Sequence, residues 1–129
     1  MLLDTHVLVW AMTAPEYLSP RARAALEITG ERLVSAASLY EIAYKVGIGK
    51  WPEVAVLLAS DLDARLTGDG FEVLPASGGI MQRAGSFDWP HRDPFDRIIV
   101  ATALARRVPV VSKDATLDGN GTPGWERIW

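Results

Sequence analysis

Arg92-Asp93-Pro94-Phe95-Asp96-Arg97-Ile98-Ile99-Val100-Ala101-Thr102-Ala103-Leu104 is the stretch whose reading decides the fold. Asp93 followed by Pro94 marks a helix start. A carboxylate is a favoured N-cap acceptor, and proline at the first helical position loses nothing because the first N–H groups have no intrahelical partner. The run Ile98-Ile99-Val100 is apolar around the helix circumference, which predicts a helix buried against a sheet. Asp96, three residues past the cap, joins Asp93 at the positive end of the helix dipole, so both are expected to stay ionised near neutral pH. Alone, this is an ordinary capped helix, and it becomes informative only through the acids elsewhere in the chain.

Three further acids lie next to apolar segments: Asp4 in Met1-Leu2-Leu3-Asp4-Thr5-His6, Glu41 in Ser38-Leu39-Tyr40-Glu41, and Asp114 in Val110-Val111-Ser112-Lys113-Asp114. Met1 to Leu3 is expected to be a buried strand ending at Asp4, with a short helix from Val7 to Met12. Ser19-Pro20 opens a helix to Ile28 by the same cap-then-proline logic, and Gly30 closes it. Arg32 to Ser35 is the second strand. Ser38 and Glu41 have capping-box spacing, predicting a helix from there to about Val46 that Gly47 and Gly49 terminate. From Trp51-Pro52, residues Val54, Leu57, Leu58, Leu62 and Leu66 recur at three- and four-residue steps, predicting one more helix. Phe71 to Leu74 is the third strand, Ser77 to Gly85 a weak helix, and Val108 to Ser112 the fourth strand, with Pro109 near its start where a missing donor is tolerated. Gly119 to Gly124 is read as a turn region, and Trp125 to Trp129 as a short edge strand.

Strands alternating with helices through short loops imply one α/β domain over residues 1–129, a single open, mostly parallel sheet of four to five strands with helices on both faces. Ligands of such sheets bind beyond the carboxyl ends of the strands. Asp4 and Asp114 fall at such ends, and Glu41, Asp93 and Asp96 fall in first helical turns on that side, so the five acids are expected to converge on one rim.

Composition is compatible with this. The 129 residues are 49% hydrophobic and 22% charged, with a formal charge of −3, so neither a basic tail nor overall charge announces a nucleic-acid binder. There is no cysteine, which excludes thiol nucleophiles, disulfides and thiolate metal sites and makes the cytoplasm the expected compartment. No stretch of about 20 apolar residues is present to span a membrane. The five tryptophans serve either core packing or an association surface.

Converging carboxylates repel one another in a partly dry cleft and require a positive partner. With oxygen donors and only two histidines, a hard divalent cation such as Mg²⁺ or Mn²⁺ is the consistent choice, and the matching chemistry is metal-assisted phosphodiester hydrolysis. Lys45, Lys50, Arg83, Arg92, Arg97 and Lys113 lie near the acidic segments as candidates for holding backbone phosphates. His6 and His91 lack a metal-ligand spacing and are assigned to packing and loop hydrogen bonding. Ser112 and Thr5 are placed to orient a carboxylate or simply to hydrogen-bond at strand ends.

The ordered set Leu2-Leu3-Asp4-Thr5-His6, Glu41, Asp93-Pro94-Phe95-Asp96-Arg97 and Val111-Ser112-Lys113-Asp114 resembles the PIN-domain family. More narrowly, it resembles the VapC-type toxins of toxin–antitoxin pairs that bear a DPFDR segment. The resemblance spans essentially the whole chain. It implies a Mg²⁺- or Mn²⁺-dependent endoribonuclease, with an acidic quartet on Asp4, Glu41, Asp96 and Asp114 and a supporting Asp93. In that reading Asp4, Asp96 and Asp114 are metal ligands and Glu41 acts through a bound water. It also implies a homodimer, through apolar surface near the helices after the second strand, and a cognate antitoxin that blocks the site. A PIN-fold RNA-processing nuclease without an antitoxin is the nearest alternative. A receiver-type phosphoacceptor module fits less well, because it needs adjacent acids after the first strand and an acceptor Asp after the third, where this chain has a solitary Asp4 and Leu74-Pro75.

Overall fold

Leu2 pairs with Leu33 on one side and Val110 on the other, and Leu3 pairs likewise with Val34 and Val111. Because side chains alternate along a strand, these pairings make two apolar rows on opposite faces of one sheet. The Leu2, Leu33 and Val110 row packs with Ile99, Val100, Ala103 and Leu104. The Leu3, Val34 and Val111 row packs with Val7, Leu8, Ile42, Leu57, Leu62 and Leu66. A sheet buried on both faces tolerates the continuous apolar strands seen in this sequence.

The structure is a computed structural model and describes residues 1–28, 30–118 and 125–129. Its strands are β1 (Leu2–Leu3), β2 (Arg32–Ser35), β3 (Phe71–Leu74), β4 (Val110–Val111) and β5 (Arg127–Ile128). They form a five-stranded sheet in the order β3-β2-β1-β4-β5, with every pairing parallel. The helices are α1 (Thr5–Thr13), α2 (Pro20–Ile28), α3 (Ala36–Gly47), α4 (Leu62–Gly68), α5 (Gly78–Ser86) and α6 (Pro94–Arg106). The chain builds outward from β1 to β2 and β3 and then crosses to β4 and β5 on the other side. The order therefore reverses between β1 and β4, and the crevice beyond their carboxyl ends is where such a sheet receives a ligand.

Two local expectations are corrected. Ser38 does not cap α3. Ser35, at the end of β2, has extended backbone angles and its hydroxyl accepts from Ala37 N–H, so the helix starts directly out of the strand. Ser38 is instead buried inside the helix and accepts from the Thr5 hydroxyl at 3.0 Å. The segment after Trp51 is not one helix either. Pro52–Leu58 is a 3₁₀ helix, whose three-residue repeat puts Val54 and Leu57 in the core. Asp61 then caps α4 by accepting from Ala64 N–H, and its four-residue repeat buries Leu62 and Leu66. One apolar stripe is thus made by two helix types in succession. α1 starts at Thr5, two residues earlier than expected, and β5 is shorter than the Trp125 to Trp129 run. The turn expected over Gly119 to Gly124 lies outside the described residues.

α6 follows the sequence closely. Asp93 accepts from Phe95 N–H at 2.8 Å and Asp96 N–H at 3.4 Å, and Pro94 takes the first turn. At the other end Arg107 closes the helix in the left-handed region, with φ 55°. The five tryptophans are all half-buried: Trp10 packs with Trp129, Trp89 with Trp125, and Trp51 with His6.

Candidate active site

Asp4 stands at the N-cap position of α1, yet its side chain makes no cap hydrogen bond. The carboxylate is buried, at 5% exposure, and accepts from the Ser112 hydroxyl at 2.7 Å. The same Ser112 oxygen accepts from Asp114 N–H at 3.0 Å, so one hydroxyl ties together the two acids that follow β1 and β4, across the point where the strand order reverses. Glu41 is also buried at 5% and forms an ion pair with Lys45, one turn further along α3. Both are placed by early chain geometry: Asp4 because β1 runs straight into α1, Glu41 because α3 begins at Ala36 rather than at Ser38.

At the start of α6 the two acids divide their work. Asp93 caps the helix, which leaves the Asp96 side chain to face the crevice, where Oδ2 meets His91 Nε2 at 2.5 Å. Asp114 is exposed and caps the 3₁₀ turn Ala115–Leu117 through Thr116 N–H at 2.8 Å. Asp4, Glu41, Asp93, Asp96 and Asp114 all line one cleft of about 330 Å³, together with His6, Trp10, Lys45 and Lys113. The convergence expected from the sequence is therefore present. Five carboxylates face two ammonium groups there, a formal excess of three acids over bases.

Burial sets the electrostatics of the deep acids. Desolvation raises the Asp4 carboxyl above the ordinary aspartate value, while the Ser112 hydrogen bond pulls the other way. Desolvation likewise pushes Asp96 up to about 6, opposed by the His91 hydrogen bond and reinforced by Asp4 and Asp93. Asp96 faces the cleft, and its loss of water outweighs what its hydrogen bond to His91 returns. It is still mostly ionised at neutral pH, but by a narrow margin. Asp114, held by Thr116 N–H, lies below the usual value.

Arg97 corrects an expectation. Its guanidinium donates to four carbonyls, Ala84 at 2.8 Å, Phe87 at 2.7 Å, Trp89 at 2.9 Å and His91 at 2.8 Å. It is therefore engaged in holding the segment between α5 and α6 rather than turned outward to phosphate. Of the other cationic candidates, Lys45 and Lys113 line the cleft, whereas Arg92, Lys50 and Arg83 are exposed outside it. His91 keeps its expected loop role but acquires a site partner in Asp96. It also stacks on Trp89, with ring centres 4.5 Å apart. No periodicity marks a pair that spans Pro94 across a loop, and the contact is invisible until Arg97 folds that loop back. His6 and Trp10 also reach the cleft, and no spacing in the sequence ties either to the acids.

A family model described as PIN domain matches residues 1–120. The chain belongs to the PIN domain family. This PIN domain is 30% identical over 129 residues to Ribonuclease VapC22 of Mycobacterium tuberculosis (strain ATCC 25618 / H37Rv), covering 100% of this chain and 98% of the relative. Among solved structures, it is similar to VapBC2 from Rickettsia felis bound to a DNA fragment from its promoter. That match has TM-score 0.67 and 18% identity, and covers 99% of this chain and 98% of the other. It is also similar to a toxin–antitoxin complex from Klebsiella pneumoniae, with TM-score 0.62, 21% identity and coverage of 96% and 93%. These structural likenesses bear on the fold. Among the described residues, no helix of this PIN domain is long and apolar enough to cross a membrane.

PIN-domain nucleases are generally dependent on a divalent metal. Among the described residues, no group of three or more carboxylate or imidazole side chains forms a ready-made metal cage. A closed all-protein site of the zinc type is therefore a poor match. An open cleft rich in carboxylate oxygens, with two acids raised by desolvation, suits Mg²⁺ or Mn²⁺, hard ions that keep several waters and need only one or two direct carboxylates.

Proposed function

We propose that this chain is a metal-dependent endoribonuclease that hydrolyses RNA phosphodiester bonds, and that it is the toxin of a toxin–antitoxin pair whose antitoxin covers the cleft. The observation that carries the reading is the meeting of Asp4, Glu41, Asp96 and Asp114, from four separate parts of the chain, in one anionic cleft at the carboxyl edge of the sheet. The full-length similarity to Ribonuclease VapC22 supports the substrate class, and the fold shared with VapBC complexes supports the partner.

In this reading Asp4 and Asp96 would be the direct ligands of Mg²⁺ or Mn²⁺, and Asp114 and Glu41 would hold the ion's waters or a second ion. When bound, such an ion lowers the pKa of water and neutralises charge developing on the phosphate. The chain's own residues prepare the site. Ser112 fixes Asp4, and His91 holds Asp96 through one carboxylate oxygen. Lys45 holds Glu41 within the cleft. Asp93 supports by capping α6, which fixes where Asp96 points. Hydrolysis joins the water oxygen to phosphorus, breaks the bond from phosphorus to the bridging oxygen, and leaves a proton on the departing hydroxyl.

The protein works as a homodimer in this reading. Tyr40, Tyr44 and Ile48 recur at four-residue steps along α3 and just beyond it, and are 63%, 50% and 46% exposed, which is the apolar surface expected after the second strand. Asp96→Asn tests the catalytic assignment. It keeps shape and removes charge, so Mg²⁺-dependent RNA cleavage should fall roughly 100-fold or more while circular dichroism stays unchanged. Cleavage retained in that variant overturns the assignment.

A further inference from the structure

The cleft has an aromatic wall that metal-assisted hydrolysis does not use. His6 lies two residues beyond Asp4 on α1, is exposed, and lines the cleft; Trp10, one turn later on the same helix face, lines it too. The His6 ring is 4.8 Å from that of Trp51 and 6.0 Å from that of Trp10, so it is backed by two indoles. Trp10 is itself held from behind by Trp129, at 6.0 Å between ring centres. Each indole also carries an ammonium group: Lys45 Nζ lies 4.9 Å from the centre of Trp51, and Lys113 Nζ lies 5.7 Å from the centre of Trp10. Lys45 and Lys113 are thereby placed beside the rings at the cleft.

This arrangement answers a physical difficulty. A cleft lined by more acids than bases repels a polyanion, and any cation at its floor acts on phosphate without distinguishing one nucleotide from another. Affinity and register have to come from elsewhere in the nucleotide. Every base offers a flat π face, and aromatic side chains at the edge of a nucleic-acid groove bind that face with little regard to the identity of the base. We propose that His6 and Trp10 form a nucleobase-stacking subsite. It seats an unpaired base of the substrate next to the phosphate in the acidic cleft, with Lys45 and Lys113 flanking it. The inference rests on the ribonuclease reading for its ligand, but on the aromatic geometry for its location. The subsite can admit only an unpaired base, because a base within a duplex has its faces covered by its neighbours.

The test measures binding without cleavage. The full chain in excess EDTA at low salt is titrated with a fluorescently labelled RNA hexanucleotide and with a hexamer of the same charge whose sugars carry no bases. Wild type should bind the base-bearing hexamer about 10-fold more tightly, and His6→Ala and Trp10→Ala should bring the two affinities together. Trp10→Phe, which keeps a flat ring and spares the packing behind it, should keep most of the preference. Equal binding of the two hexamers by wild type, or an undiminished preference in folded His6→Ala, overturns the subsite. Failure of wild type to cleave RNA with Mg²⁺ or Mn²⁺ overturns the ribonuclease reading instead. In a cleaving enzyme, His6→Ala should raise KM several-fold more than it lowers kcat; an effect confined to kcat counts against stacking.

Discussion

Replacing Arg97 with alanine removes one guanidinium and leaves four carbonyl oxygens without their donor, those of Ala84, Phe87, Trp89 and His91. Hydrogen bonds from a charged donor contribute about 1.5–3 kcal/mol each, but the figures are not additive when one side chain makes them all. The segment from Phe87 to Arg92 lies near the surface, so water reaches some of the freed carbonyls once the loop loosens. The Arg97 guanidinium also lies over Phe87 and Trp89, at 5.7 Å and 6.0 Å, contacts that are lost as well. The net loss should be about 3 kcal/mol, a large share of the 5–15 kcal/mol typical of a domain. Arg97→Lys keeps the charge but not the fork, and one ammonium cannot reach four acceptors, so it should recover less than half of the loss. Urea denaturation gives the stability, and hydrogen exchange across 86–92 shows whether the loosening is local. Because Arg97 holds the His91 carbonyl, and His91 holds Asp96, cleavage should fall in both variants even where they remain folded. Stability within about 0.5 kcal/mol of wild type, with unchanged exchange in that segment, would refute the account of Arg97 as an internal clamp.

Three further outcomes are expected. In EDTA, the melting temperature should rise as pH falls from 7 to 5, because Asp96, at about 6, and Asp4 bind protons more tightly folded than unfolded and so destabilise the folded state when ionised. Asp114, shifted down, acts in the opposite sense, but its contribution is lost only in more acidic solution. Adding Mg²⁺ at pH 7 should raise the melting temperature, and more than it does at pH 5; a melting temperature indifferent to Mg²⁺ at both values counts against a cation in the cleft. Ser112→Ala should destabilise the protein by about 1–3 kcal/mol at pH 7 and raise the Asp4 carboxyl further, both measurable by denaturation across pH. Tyr44→Glu should shift the protein towards monomer in sedimentation without altering its circular dichroism, and a wild type that sediments as a monomer at micromolar concentration rules out the dimer.

The parts of this molecule that were legible in its sequence are those in which one residue's chemistry decides one local structure. Asp93-Pro94 gave a helix start, and Leu2-Leu3 and Val110-Val111 gave strands whose ends carry Asp4 and Asp114. The parts that were not legible depend on competition or on distance. Ser35 and Ser38 are both competent caps, and the strand register that ends β2 at Ser35 is what selects between them. The apolar spacing from Val54 to Leu66 satisfies three- and four-residue repeats alike, and Asp61 decides where one gives way to the other. Distance decides the site. Asp4 lies at a cap position, where sequence logic assigns a carboxylate to the backbone, but Ser112, 108 residues away, accommodates it as a buried acceptor facing the cleft. Asp96 is freed in the same way, because Asp93 already serves the backbone. A carboxylate at a helix start becomes available for chemistry when a neighbour caps in its place or the cap goes unmade. At Asp114 the cap is made, and that acid is the exposed one with a lowered value. The three acids thus form an order, from Asp4 and Asp96, kept out of water, to Asp114, already satisfied by Thr116, so Asp114→Asn should impair cleavage less than Asp96→Asn.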